Sequence, residues 1–204
     1  MTTGGRREIS GTGPESVAKG SDFDVLVGLA SIVFPIIYFV ADLIETAQGN
    51  FSTGRLVLAY IGESAIPFFV LGLYATQRPR IGRLGLFGAL AYGYSFVFFT
   101  STVVYALAAD LSNWKAVTHV FGGWFILHGA IMVIGGAAFG LASIKAEVLP
   151  RWTGILLIIG VVLVAATAGM SNGVRTAAAA LPDAAFVGMG LALLRRHSRA
   201  TSCR

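Results

Sequence analysis

Charge is what this sequence has least of. Asp, Glu, Lys and Arg together make up 12% of its 204 residues, about half the share an ordinary soluble domain carries. So few polar side chains cannot cover a water-soluble surface, and lipid is the expected solvent for most of the chain. Cysteine is nearly absent too. Cys203 alone excludes an internal disulfide and reads as a free thiol, and the usual partners of a zinc site are missing. Histidines number three. His119 and His128 are nine apart, about half a turn out of phase on a helix, so they cannot ligate one metal or haem from a single face. His197 lies in the C-terminal tail. Long connecting loops are also lacking, so no soluble domain is expected between the apolar segments, and function has to reside within them. No cleavable signal sequence is expected: residues 1–21 are polar, rich in Gly, Ser and Thr, and read as a disordered cytoplasmic lead.

What is present is hydrophobic: 55% of residues are apolar and mean hydropathy is +0.76. The apolar runs are continuous and far longer than the alternating segments of about ten residues that build an outer-membrane barrel. The expected fold is therefore an all-α membrane protein, a bundle of about six transmembrane helices. The spans are placed near Phe23–Ile44, Leu56–Thr76, Leu84–Ala108, Val117–Ile144, Gly154–Met170 and Thr176–Leu194, each long enough for a hydrocarbon core of about 30 Å or close to it. The fifth is the shortest. The organisation read from this is a lead over 1–21, a transmembrane domain over 22–195 and a basic cytoplasmic tail over 196–204.

The basic residues fix an expected orientation. Twelve of the fifteen fall on one side of the six spans: Arg6, Arg7 and Lys19; Arg78, Arg80 and Arg83; Lys145 and Arg151; Arg195, Arg196, Arg199 and Arg204. Only Arg55, Lys115 and Arg175 fall on the other. Under the positive-inside rule both termini are cytoplasmic. The net charge of +5 thus reads as a topology signal, and no nucleic-acid partner is expected. Trp114 and Trp152 come at opposite interfaces, where amphipathic rings settle. The many glycines inside spans suit close helix packing in lipid. The second and fifth spans do not resemble each other as the halves of an inverted-repeat transporter would.

Two ionisable residues stand deep in apolar helices, where polar groups are costly and functional by default. Glu63 is eight residues past Arg55, and Asp183 eight past Arg175, so both are expected roughly 12 Å below the non-cytoplasmic face and on one shared cavity. Each has a proline beside it. Pro67 takes the hydrogen bond from the Glu63 carbonyl and Pro182 from the Ala178 carbonyl, so both helices are expected to kink there. Trp124 and His128 share a helical face near that depth. Tyr94, Phe98, Ser101 and Tyr105 form a stripe on the third span, and Tyr38 and Tyr60 come from the first and second. These eight are the candidate substrate-binding residues. Asp42 and Glu45, near the end of the first span, are expected to be solvated.

A carboxyl out of water holds its proton and can deliver it where water is scarce. Aromatic faces stabilise a developing cation. Together they suit proton-initiated cyclisation of a polyprenyl chain arriving from the membrane. In size, multi-pass build and intramembrane acids, the helical body resembles the small bacterial integral-membrane terpene cyclases of indole-sesquiterpenoid pathways, the drimentine and xiamycin type. That resemblance implies protonation of a terminal alkene or epoxide by a membrane carboxyl, then loss of a proton from the cyclised cation. It carries over by position to Asp183 and Glu63 as acid and base. No Asp-rich magnesium motif is present, so diphosphate ionisation is not expected; no cofactor or metal is called for. The partners expected are a lipophilic small-molecule substrate and membrane lipid. The stretches Leu149-Pro150-Arg151-Trp152 and Gly72-Leu73-Tyr74 are also similar to other bacterial multi-pass families. A small-molecule permease or ligand sensor, and an accessory subunit whose buried acids pair with Arg175 or His128, are the alternatives.

Overall fold

The computed structural model describes residues 15–202, with side-chain surroundings for 22–198. Among these residues regular structure is entirely helical: α1 (Glu15–Gln48), α2 (Thr53–Thr76), α3 (Gly82–Ala108), α4 (Trp114–Phe121), α5 (Gly123–Ala146), α6 (Arg151–Ala166) and α7 (Asn172–Ser202). Apolar runs fold this way because a helix satisfies its own backbone without water. Local signals set the ends. Ser52 caps α2, its hydroxyl accepting from the Arg55 backbone N–H, and the Asn113 side chain caps α4 by accepting from the Ala116 N–H at 3.0 Å.

Six helices form a closed ring: α1 packs on α2, α2 on α3, α3 on α5, α5 on α6, α6 on α7, and α7 back on α1. A glycine sits at every seam. A Cβ added at Gly72 would stand 2.6 Å from Val27 of α1, and one at Gly93 would stand 3.3 Å from Pro67 of α2. At Gly135 it would meet the Tyr92 nitrogen at 2.5 Å, and at Gly140 the Gly154 carbonyl at 2.8 Å. At Gly160 it would meet Pro182 at 2.4 Å, and at Gly190 the Gly28 carbonyl at 2.5 Å. Where Gly72 meets Val27, Gly140 meets Gly154 and Gly190 meets Gly28, early residues of one helix face late residues of the other, so those neighbours run antiparallel. Close backbone approach through small residues is how helices associate where lipid removes the hydrophobic drive between them.

The outside of the ring is apolar. Phe68, Ile126, Leu26, Val97 and Ile134 are among many large side chains exposed there. Five helices are long and apolar enough to cross a membrane: residues 22–48 of α1, α2, α3, α5 and residues 172–198 of α7. The chain is a multi-pass helical membrane protein. α6 has 16 residues and rises about 24 Å, short of a hydrocarbon core of about 30 Å.

The expected fourth span, Val117–Ile144, is two helices. Gly122 lies between α4 and α5 with φ +51°, a left-handed conformation that glycine adopts without steric cost. The break frees α4 to turn over one end of the ring. There Val117 packs into an apolar patch with Ala41, Leu56, Ala59, Val103 and Ala106. Helix also extends into the expected lead and tail. α1 already begins at Glu15 and α7 runs on to Ser202; residues 1–14 and 203–204 lie outside the described residues. Pro67 and Pro182 stand inside α2 and α7, and neither interrupts its helix.

Candidate functional site

At the end of the bundle carrying Trp114, a buried ion network joins three helices. Arg55, in the first turn of α2, is fully buried, with Nη2 2.6 Å from Glu45 Oε2 and 3.5 Å from Asp42 Oδ1. Its guanidinium lies over Phe51 and Trp114, 4.6 and 5.2 Å from the ring centroids. Trp114 Nε1 donates to Glu45 Oε2 at 3.1 Å. Arg175 of α7 approaches the same carboxylate, Nη1 to Oε1 3.7 Å, and also lies over Trp114. Asp42 and Glu45 are therefore buried and paired, contrary to the expectation that they are solvated. Position near a helix end implied water, but two cations from other helices and α4 cover that end. Arg55 Nε and Nη1 have no hydrogen-bond acceptor; aromatic faces stand beside them, which a guanidinium tolerates well.

Beneath this network the ring encloses a cavity of about 430 Å³. Glu63 and Asp183 both line it. Glu63 is 1% exposed, whereas Asp183 as a residue is half-buried. Each nonetheless has a fully buried carboxyl oxygen, Glu63 Oε2 and Asp183 Oδ2, with no hydrogen-bond partner. No ion pair reaches either acid among the described residues: Arg55 and Arg175 are taken by Asp42 and Glu45.

The helices aim these acids by packing the residue before each one into a seam. Gly62 presses on Tyr38 of α1, where an added Cβ would stand 2.7 Å from the Tyr38 Cβ. Pro182 presses on Gly160 of α6. The following residue on a helix is turned by about 100°, and in both cases that turn carries the carboxyl onto the cavity. Tyr38, Trp114, Thr118 and Arg175 stand with them in the lining. The Tyr38 hydroxyl is directed toward the Glu63 carboxyl.

The remaining walls are aromatic and aliphatic. Tyr92, Phe96 and Phe99 come from α3, Phe125 and Met132 from α5, Phe69 from α2 and Phe186 from α7. They brace one another: Phe69–Phe186 and Tyr92–Phe96 centroids are 5.1 and 4.9 Å apart. A cavity of this kind, apolar with a few converging polar groups, is the usual form of a small-molecule site.

The structure brings together only some of the residues expected to bind substrate. Tyr38 lines the cavity. Tyr60, Tyr94, Ser101, Tyr105 and Trp124 are exposed on the outside of the ring. Phe98 and His128 stack on each other across α3 and α5 with centroids 3.8 Å apart. His128 Nδ1 is 2.8 Å from the Trp124 carbonyl, and neither Phe98 nor His128 lines the cavity. The stripe on α3 that does so is Tyr92, Phe96 and Phe99, rotated from the expected one; on α5 it is Phe125, Gly129 and Met132. Both stripes have helical spacing, so the sequence offers the right pattern alongside the wrong one. Neither Glu63 nor Asp183 pairs with Arg175 or His128: Arg175 meets the buried Glu45, and His128 meets a backbone carbonyl.

Fold and site thus define a class, a multi-pass helical membrane protein with a carboxyl-bearing, aromatic-walled cavity in its bundle. Comparison with known protein families, with curated proteins and with solved structures gives no match.

Proposed function

We propose that this chain is a six-pass membrane enzyme, with both termini cytoplasmic, that cyclises a prenyl chain by protonating its terminal alkene or epoxide. The observation that carries the reading is the pair of buried carboxyl oxygens, on Glu63 and Asp183, left without partners on one aromatic-lined cavity. A buried carboxylate with no partner is costly. A buried neutral acid is far less so, and it has a proton to give.

Asp183 is the assigned acid. Its O–H bond breaks as the alkene π electrons take the proton, or as an epoxide oxygen does. The carbocation that follows is attacked by the next double bond, closing a ring. Tyr92, Phe96, Phe99 and Phe186 offer π faces to the cation. The cyclised cation then loses a proton to the carboxylate that the first step left on Asp183, or to Glu63 once Glu63 has passed its own proton to Asp183, so both acids are restored and the step is an isomerisation with no atoms gained or lost. The α6 helix makes the sixth pass despite its length, since Arg151 and Trp152 at its start suit the interface.

Asp183→Asn keeps the side-chain volume and removes the acidic proton. In membranes at matched protein level, cyclised products of geraniol, farnesol, geranylgeraniol and their terminal epoxides are measured by gas chromatography and mass spectrometry. The variant is expected to lose ~10²–10⁴ in rate while inserting and folding normally. Parent-rate cyclisation by both Asp183→Asn and Glu63→Gln, or no conversion of any probe by the parent, overturns the reading. The second reading is a permease for an organic cation, which two acids among aromatic rings would also attract. It predicts uptake of tetraphenylphosphonium into vesicles that Asp183→Asn abolishes.

A further inference from the structure

The ring is not closed equally along all its seams. Between α5 and α6 the half away from Trp114 is tight: an added Cβ at Gly136 would stand 2.8 Å from Val161, and one at Gly154 would stand 2.6 Å from the Gly140 carbonyl. Nearer Trp114 the contact stops. Gly129 lines the cavity, yet a Cβ built on it meets nothing within 4 Å. Opposite, α6 has already ended at Ala166.

The residues on the two sides of this gap have a double character. Ile126 lines the cavity and is 75% exposed. Ala165, Ala168 and Gly169, at and just beyond the end of α6, also line the cavity and are exposed. Residues that face both inside and outside mark a mouth. Thr118 of α4 also lines the cavity and is exposed; the flanks on α5, α6 and the segment after it are apolar, with Leu127, Val162, Leu163 and Met170 exposed around the gap. The charged members of the lining, Glu63, Arg175 and Asp183, stand on α2 and α7, and none is on α5 or α6.

We propose that this gap is a lateral portal through which an uncharged isoprenoid, dissolved in the membrane, enters the cavity from the leaflet at the Trp114 end. The alternative way in, along the bundle axis from water, is roofed by Trp114, which Glu45 holds by a hydrogen bond and two arginines cover. Opening it would disrupt a buried ion network, whereas the side gap requires no rearrangement. The cavity sets the size of the guest. At about 430 Å³ it falls within the usual range of about 300–1,000 Å³ for small-molecule sites, which suits a guest of farnesyl size. The use made of this guest rests on the cyclase reading; the portal rests on the geometry alone.

The test separates the two. In a Cys203→Ser background, Gly129→Cys carries a nitroxide, and the protein is reconstituted in phosphatidylcholine vesicles. Collision of the label with oxygen, which partitions into lipid, is compared with collision with a water-soluble nickel chelate. Oxygen is expected to dominate, and added farnesol is expected to lower the oxygen collision rate. A nickel-dominated label shows a mouth open to water and overturns the portal, as does a label indifferent to farnesol. Neither arm needs turnover, so a protein that takes up farnesol here without cyclising it keeps the portal and loses the enzyme. In the active parent, Gly129→Trp fills the gap from a position with open space around it. It is expected to lower kcat/KM for farnesol by about tenfold. Unchanged kcat/KM overturns the portal.

Discussion

Arg55 is the side chain on which the Trp114 end of the bundle depends most, and its removal is quantifiable from its partners. Arg55→Met keeps most of the apolar stem and deletes the guanidinium. Glu45 would still have the Trp114 N–H at 3.1 Å and Arg175 at 3.7 Å. Asp42 would not: Arg55 is its one ion-pair partner among the described residues. The variant therefore leaves one buried carboxylate uncompensated, not two. Breaking a buried pair from one side costs about 3–5 kcal/mol, and the lower end applies because the shorter of the two pairs retains substitutes. The lost contacts with Phe51 and Trp114 add about 0.5–1 kcal/mol each. The expected loss is thus about 4 kcal/mol, a factor near 10³ in the folding equilibrium at about 1.4 kcal/mol per decade. Unfolding by sodium dodecyl sulfate in mixed micelles measures it, followed by tryptophan fluorescence. The decisive comparison is with Asp42→Asn and the double variant. If the network is as described, Arg55→Met/Asp42→Asn is more stable than the sum of the single losses by about 2 kcal/mol or more. Strict additivity, or a loss below about 1 kcal/mol for Arg55→Met, would show that these charges are not mutually dependent and would refute the reasoning.

Packing and topology give two more outcomes. Gly88→Val places a Cβ 2.4 Å from the Phe139 nitrogen, a backbone atom that cannot swing aside, so α3 and α5 must part; a loss of about 2–3 kcal/mol or more is expected in the same unfolding assay. Gly54→Ala, whose Cβ meets nothing within 4 Å, is the matched control and is expected to stay within about 1 kcal/mol of the parent on the stable side. Reporter fusions test the orientation: a phosphatase at either terminus is expected to be inactive and a cytoplasmic fluorescent reporter active, and a phosphatase active at the C-terminus would remove the six-pass arrangement.

The helices were legible because a membrane span must be continuous in its apolarity, and Glu63 and Asp183 stood out because a charge there is so costly. The cavity-facing stripes were not legible, and the cause is physical. In a soluble protein, one face of a helix is apolar and the other polar, so periodicity reports which way it faces. Here lipid and cavity are both apolar. Tyr92, Phe96 and Phe99 face inward on α3 while Tyr94, Val97 and Tyr105 face outward, and nothing in hydropathy distinguishes the two sets. Gly122 was equally opaque. Beside Gly123 it looked like one more packing glycine, and only its positive φ shows the break. The burial of Asp42 and Glu45 is not visible in the sequence because their neutralising partners lie on α2 and α7, far away along the chain.

The treatment of the acids separates a structural role from a chemical one. Four of them, apart from the exposed Asp110, lie toward one end of the bundle. Asp42 and Glu45 are met by Arg55, Arg175 and the Trp114 N–H, which is how a buried charge is ordinarily satisfied. Glu63 and Asp183 lie just beneath, and their buried oxygens go without. The fold does not lack cations at that level, since Arg175 lines the same cavity as both; its guanidinium is directed to Glu45 instead. Had the inner acids served only to lock helices together, pairing one of them with Arg175 would have stabilised the bundle more than leaving both open. Leaving them unpaired on a hollow walled by aromatic rings lowers stability and keeps two exchangeable protons available to whatever enters. That cost is understandable where the protons are used, and Asp183→Asn measures it directly. A structural acid would destabilise the bundle when neutralised, whereas a chemical one would leave it as stable as before, or more so, and inactive.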